Sequence, residues 1–160
     1  MKVLEVLVTG GAGFIGSNLA LELEKRGHKV TIADNLFSGT RENLNGFKGN
    51  LVELDVSEPI GLNQEFDAIF HMASITDPRH KNEQETYTKN TKGFWLMKNL
   101  AQNINSKFIY ASTANLYGNG STPMKENQKK DIITRYGESK LEMDRIASLL
   151  LKEMHIVGLR

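Results

Sequence analysis

The run Thr9-Gly10-Gly11-Ala12-Gly13-Phe14-Ile15-Gly16 constrains the fold of this chain more than any other. It follows an apolar, β-branched stretch over residues 3–8 and leads into an amphipathic one, so a strand must turn sharply into a helix. Gly10 permits the tight turn, Gly13 lets backbone N–H groups approach a phosphate, and Gly16 brings helix and strand close together. The positive end of the helix dipole points at the same place. A dinucleotide pyrophosphate meets those conditions. The alternative, a glycine turn needed only for packing, is disfavoured by its place directly after the first strand.

The rest of the chain repeats the alternation of short apolar runs and longer amphipathic ones. Strands are predicted over residues 3–8, 29–33, 50–54, 68–71, 107–111 and 155–159, and helices over 14–26, 83–103 and 137–154. In the last helix Leu141, Ile146, Leu149 and Leu150 form the expected apolar stripe. This is the pattern of an α/β fold, a doubly wound parallel sheet with helices on both faces, and 160 residues suit one domain spanning 1–160. Residues 118–134, rich in Gly, Asn, Ser and Thr, are predicted to form a surface loop.

Twenty Lys and Arg against nineteen Asp and Glu leave a net charge of +1, which offers no footprint for nucleic acid or an anionic membrane. The absence of cysteine excludes disulfides, thiolate zinc sites and cysteine nucleophiles. No apolar run reaches the roughly 18 residues of a membrane span, and a cytoplasmic protein is expected. His28, His71, His80 and His155 lack ligand spacing and read as surface or strand-end residues, so no metal site is expected. Trp95, Leu96 and Leu100 read as core or subunit contact, and Ser112 lacks the surroundings of a hydrolase nucleophile.

Asp34 falls about 20 residues beyond the glycines, at the end of the second strand, where a carboxylate can accept hydrogen bonds from ribose hydroxyls. That points to NAD. Arg41 could pair with a 2′-phosphate and offset the repulsion from Asp34, which leaves NADP open. Asp55 and Val56 close the third strand, where an adenine edge could bind. Tyr136 and Lys140 are four apart and share a helical face. An ammonium beside a phenol favours the phenolate, so Tyr136 is expected to serve as a base with its pKa lowered by Lys140. A hydroxyl from Thr113 would hold the same substrate oxygen.

Together these segments resemble the extended short-chain dehydrogenase/reductase family, the NAD(P)-dependent nucleotide-sugar epimerases and dehydratases. TGGAGFIG at 9–16, ADN at 33–35, FHMAS at 70–74, NTKG at 90–93, YASTANLYG at 110–118, YGESK at 136–140 and VGLR at 157–160 stand in the family's order. The resemblance implies a Rossmann-type cofactor domain with Gly10, Gly13, Phe14, Ile15 and Gly16 at the pyrophosphate and Asp34 and Asn35 at the adenosine ribose. Ala73, Ser74 and Asn90 would line the cofactor cleft. Thr113, Tyr136 and Lys140 take the places of the family's hydroxyl, base and lysine, Lys140 also binding the nicotinamide ribose.

Residues 71–77 and 117–124 look most like the ADP-glyceromanno-heptose 6-epimerase branch, with UDP-glucose 4-epimerase-like members and dehydratases as alternatives. The resemblance further implies a nucleotide-sugar substrate and a homo-oligomer formed through the helices around 92–103 and 137–154. The apolar run at 155–160 is where such proteins continue into a last strand and a substrate lobe, so a truncated chain is expected. A non-catalytic NAD(P)-binding module is the alternative of another class.

Overall fold

The computed structural model describes residues 2–59, 61–62, 64–77 and 80–160. Six strands, β1 (Glu5–Thr9), β2 (Lys29–Asp34), β3 (Asn50–Glu53), β4 (Ala68–His71), β5 (Lys107–Ala111) and β6 (Ile156–Leu159), form one sheet in the order β3-β2-β1-β4-β5-β6. Every pairing is parallel. Three helices, α1 (Phe14–Lys25), α2 (Glu83–Asn103) and α3 (Arg135–Leu150), complete the expected doubly wound α/β fold. Strand order reverses between β1 and β4, and in sheets of this kind the crevice at that reversal, beyond the carboxyl ends of the strands, receives the ligand.

Alternation along β1 explains how one strand serves two faces. Val6 and Val8 pack with Ala20, Val30 and Ile32 on the α1 side. Leu7 faces the other way, into a larger core with Ile69, Phe94, Met97, Phe108, Tyr110 and Met143 beneath α2 and α3. Phe94 stands edge-on to Phe108 and Tyr110, with ring centroids 5.5 Å and 5.0 Å away, an arrangement that matches positive ring edge to negative ring face.

At two element starts the difference from the sequence reading has a local reason. Val3 is 54% exposed and unpaired by the ladder, so β1 begins at Glu5. α3 begins at Arg135 because the Thr134 hydroxyl accepts the Gly137 N–H at 2.9 Å, a side-chain cap that starts the helix early. Its buried stripe is Gly137, Lys140, Met143 and Ala147, whereas Leu149, expected in the stripe, is 80% exposed. Residues 118–134 carry neither helix nor strand, as expected.

On α2, Leu96 and Leu100 pack against the core, while Trp95 is exposed beneath the Lys98 ammonium, 5.3 Å from its ring. At the end of β6, Arg160 donates to Asp144 Oδ2 at 2.7 Å, to the Tyr117 hydroxyl at 2.9 Å and to the Glu126 carbonyl at 3.1 Å. Asp144 also accepts the Tyr110 hydroxyl at 2.8 Å, so β5, α3 and the residue that follows β6 meet at one carboxylate, and Arg160 ties the 118–134 loop to them. Among the described residues, no helix is long and apolar enough to cross a membrane.

Candidate functional site

At two positions of the glycine turn after β1 a Cβ would run into backbone. Gly10 has φ +67°, and a Cβ there would stand 2.6 Å from Ala73 Cα and N. A Cβ at Gly16 would collide with the Gly10 carbonyl. Gly13 is different: its φ of −78° suits any residue, and a Cβ would meet only the Gly10 oxygen, at 3.3 Å. Gly13 caps α1 without a side chain, and no acidic residue occupies the first turn, so the leading N–H groups have no side-chain acceptor. Such a helix start attracts an anion.

This turn forms one wall of a cavity of about 440 Å³, lined also by Phe14, Ile15, Asp34, Asn35, Asp55, Val56, Ala73, Ser74 and Asn90. With Gly10, Gly13 and Gly16, the cavity gathers twelve of the fifteen expected cofactor residues; Arg41, Tyr136 and Lys140 lie outside its lining. Asp34 does more than the sequence reading assigned to it. One carboxylate oxygen accepts the Ala12 N–H at 2.9 Å and the other the Leu36 N–H at 2.8 Å, so it braces the glycine turn while its remaining lone pairs face the cavity.

Burial pushes the Asp55 carboxyl up, but hydrogen bonds from the Ser57 hydroxyl and N–H, the Lys89 ammonium and the Asn35 side chain outweigh it and hold Asp55 below its ordinary value. Asn90 brackets the loop after β4: it accepts the Ile75 N–H at 2.7 Å and donates to the Ile75 carbonyl at 3.1 Å and to Ser139 Oγ at 3.3 Å. Ser74 Oγ is buried without a partner. An orphaned hydroxyl, an open helix start and a glycine cradle on one cavity fit a dinucleotide. Arg41 does not line the cavity; its guanidinium donates to Glu53 at 2.7 Å.

Tyr136, Lys140 and Thr113 come together beside this cavity without lining it. The Thr113 hydroxyl lies near enough to the Tyr136 phenol to favour its ionised form, and the Lys140 ammonium lies 5.6 Å from the Tyr136 ring centroid. Ser139, the neighbour of Lys140, donates to the Tyr136 carbonyl at 2.7 Å and receives Asn90, which joins the cluster to the cavity wall. Lys140 is 1% exposed and donates to the Ala111 carbonyl at 2.8 Å. Burial pushes it down to about 8, against the opposing pull of Asp144.

The expected lowering of the Tyr136 phenol by Lys140 is not what these groups produce. Burial raises the phenol above its ordinary value, and only the hydrogen bond with Thr113 opposes it. The physical reason is geometric: the ammonium spends a donor on Ala111 and sits over the ring.

Sequence reasoning missed His71, which it placed at the surface or a strand end. It ends β4 but is 1% exposed, stacked on Phe108 at 5.9 Å. Its Nδ1 shares a hydrogen bond with Thr9 Oγ1 at 2.8 Å, and the same oxygen accepts the Ala73 N–H at 3.3 Å, so His71 steadies the cavity wall. Its place in β4 two residues after Ile69, and so on the same face of a short apolar strand, was the signal available. Burial, with a smaller contribution from the Lys140 charge, pushes its pKa down to about 3. The unfolded chain therefore binds a proton near pH 6.5 that the folded chain refuses. Stability present above about pH 6.5 should be lost progressively as pH falls towards 3, by up to ~4 kcal/mol. Thermal unfolding across that range checks this, and His71→Asn, which can keep the Thr9 contact, should flatten the slope. Among the described residues, no group of His, Asp or Glu could hold a metal.

A parallel sheet in this order, with an open glycine turn at its reversal point, defines a dinucleotide-binding domain of the Rossmann type. The chain belongs to the NAD dependent epimerase/dehydratase family, which it matches over residues 6–160. It is 39% identical to UDP-glucuronic acid decarboxylase 1 of Arabidopsis thaliana over 135 residues, 81% of this chain and 30% of that protein. The ADP-L-glycero-D-manno-heptose-6-epimerase of Helicobacter pylori superposes with a TM-score of 0.90 and 33% identity, covering 99% of this chain and 55% of that one. The UDP-glucose-4-epimerase of Stenotrophomonas maltophila, solved with bound NAD, gives a TM-score of 0.85 and 26% identity, covering 98% and 52%. This chain thus spans about half the length of those two solved proteins and about a third of that decarboxylase. The heptose-epimerase branch stands beside decarboxylases and other epimerases, so the likeness reaches the family and not one branch.

Proposed function

We propose that this chain is the cofactor-binding and proton-transfer part of a nucleotide-sugar epimerase, of the ADP-glyceromanno-heptose 6-epimerase type, with the substrate lobe outside these 160 residues. The observation that carries the proposal is the Thr113–Tyr136–Lys140 cluster beside the glycine cavity. NAD supplies the hydride acceptor when bound. The N–H groups at the start of α1 hold its pyrophosphate and Asp34 its adenosine ribose. NAD is favoured over NADP because a 2′-phosphate at the adenosine ribose would meet the Asp34 carboxylate on the cavity wall, and Arg41, engaged by Glu53, does not line the cavity to offset it. Tyr136 takes the proton of the sugar hydroxyl at its phenolic oxygen and returns it after the carbon has been inverted. Thr113 holds the same oxygen, and Lys140 binds the nicotinamide ribose. The outer faces of α2 and α3, with Trp95 and Leu149 exposed, are proposed to pair with a second copy.

The 39% identity to a UDP-glucuronic acid decarboxylase favours a second reading, decarboxylation, which can begin with the same oxidation. Incubating the protein that carries this chain with NAD and either ADP-glyceromanno-heptose or UDP-glucuronic acid separates the two. The epimeric heptose with no CO₂ is expected. Release of CO₂ from UDP-glucuronic acid would transfer the chain to the second reading, and binding of NAD without conversion of either sugar would favour a non-catalytic module.

A further inference from the structure

We infer that Asn115 and Thr134 form a latch that fixes the spacing between Thr113 and Tyr136, and that both are positioning residues for proton transfer. The inference rests on the proposed role of Tyr136 and adds two residues to it.

Thr113 and Tyr136 belong to separate elements, each with its own local cap. Thr113 caps the 3-10 turn Ala114–Tyr117, its hydroxyl accepting the Asn115 N–H at 3.1 Å. Thr134 caps α3, accepting the Gly137 N–H at 2.9 Å. Neither cap relates the turn to the helix, and the 118–134 segment between them has no ladder to do so. A single side-chain bond joins the two caps directly: the Thr134 hydroxyl donates to Asn115 Oδ1 at 2.8 Å. A hydroxyl has one hydrogen to donate, so the Thr134 O–H is committed to Asn115 while its lone pair receives Gly137. Asn115 in turn uses its backbone N–H on Thr113 and its side chain on Thr134.

Space around the latch supports the same conclusion independently. A Cβ at Gly137 would stand 2.8 Å from Asn115 Oδ1 and 3.2 Å from Thr134 Oγ1, so any larger residue beside Tyr136 would displace the amide. On its other side α3 is fixed by the Lys140 bond to the Ala111 carbonyl. With the latch closed, the helix start is held by the Thr134–Asn115 bond, by Lys140 on Ala111 and by Ser139 on Asn90, and of these the first alone sets the Thr113–Tyr136 spacing from the turn that carries Thr113. Releasing that bond lets the spacing lengthen, and a displacement of about 1 Å at reacting groups can cost on the order of 10²-fold in rate.

The test compares Asn115→Ala, Thr134→Val and Thr134→Ser in the protein that carries this chain, with ¹³C-labelled tyrosine for NMR titration. Asn115→Ala keeps both caps and so keeps the fold; Thr134→Ser keeps every hydrogen bond. In Asn115→Ala and Thr134→Val the Tyr136 titration should move to higher pH, since the Thr113 bond that favours phenolate is weakened. Turnover should fall at least 10-fold in kcat, with the sugar KM and the NAD Kd within twofold. Thr134→Ser should match the wild type in every measurement. An unmoved Tyr136 titration in Asn115→Ala overturns the latch, whether or not turnover is seen. A shifted titration in a protein that converts no nucleotide sugar leaves the latch standing and removes the proposed reaction instead.

Discussion

Tyr136→Phe is expected to lower turnover by about 10³-fold while leaving NAD affinity within twofold. Positioned proton transfer contributes roughly 10²–10⁴-fold to such reactions, and the phenolic oxygen is the atom that carries the proton here. The ring itself is half-buried and packs beneath the Lys140 ammonium, so phenylalanine keeps the packing and loses only the hydroxyl and its bond to Thr113. The proposed cofactor contact beside the cavity belongs to Lys140 and not to the phenol, which is why binding should survive. Lys140→Met should behave differently. It removes a buried cation that also donates to the Ala111 carbonyl, and it should weaken NAD binding as well as turnover. Steady-state kinetics with calorimetry on the two variants measures that contrast; equal defects in both would show that Tyr136 and Lys140 do not have the separate roles assigned to them.

Gly13→Val is expected to weaken NAD binding at least 100-fold in a chain that still folds. The three motif glycines are not equivalent. Side chains at Gly10 or Gly16 would run into backbone, so substitution there disrupts the turn itself. At Gly13 the backbone is ordinary, the nearest atom to a Cβ is 3.3 Å away, and the residue lines the cavity. Valine would therefore occupy the place where a pyrophosphate must approach the leading N–H groups of α1. Circular dichroism should show an unchanged fold and calorimetry a lost ligand. A variant that binds NAD as the wild type does would move the pyrophosphate away from this turn.

The sheet was legible because its strands are short apolar runs bounded by turn residues, and the glycine turn fixed which strand comes first. The site was legible where residues act through spacing: Gly10, Gly13 and Gly16 along one turn, Tyr136 and Lys140 along one helix. Residues that act through contacts distant in sequence were not. Asp34 was read as a ribose ligand, yet both its oxygens also hold backbone N–H groups near the turn. Asn115 lies within the 110–118 motif and Thr134 within none, and neither position signals their pairing, because their hydrogen bond exists only once the 118–134 segment has folded back. Arg41 failed as a cavity residue because Glu53, its partner across the turn, lies at the end of β3, a pairing that register alone reveals. Tyr136 and Lys140 show that proximity does not set a pKa by itself: burial is the largest influence on both, opposed by Thr113 at the phenol and by Asp144 at the ammonium.

The most direct measurement is a calorimetric titration of NAD into the wild-type chain, Tyr136→Phe and Gly13→Val under one set of conditions. One saturable site should appear in the first two with affinities within twofold of each other, and heat of binding should be absent in the third. Equal affinity in the wild type and Gly13→Val, or no binding by the wild type, would contradict the assignment of the glycine cavity to the dinucleotide.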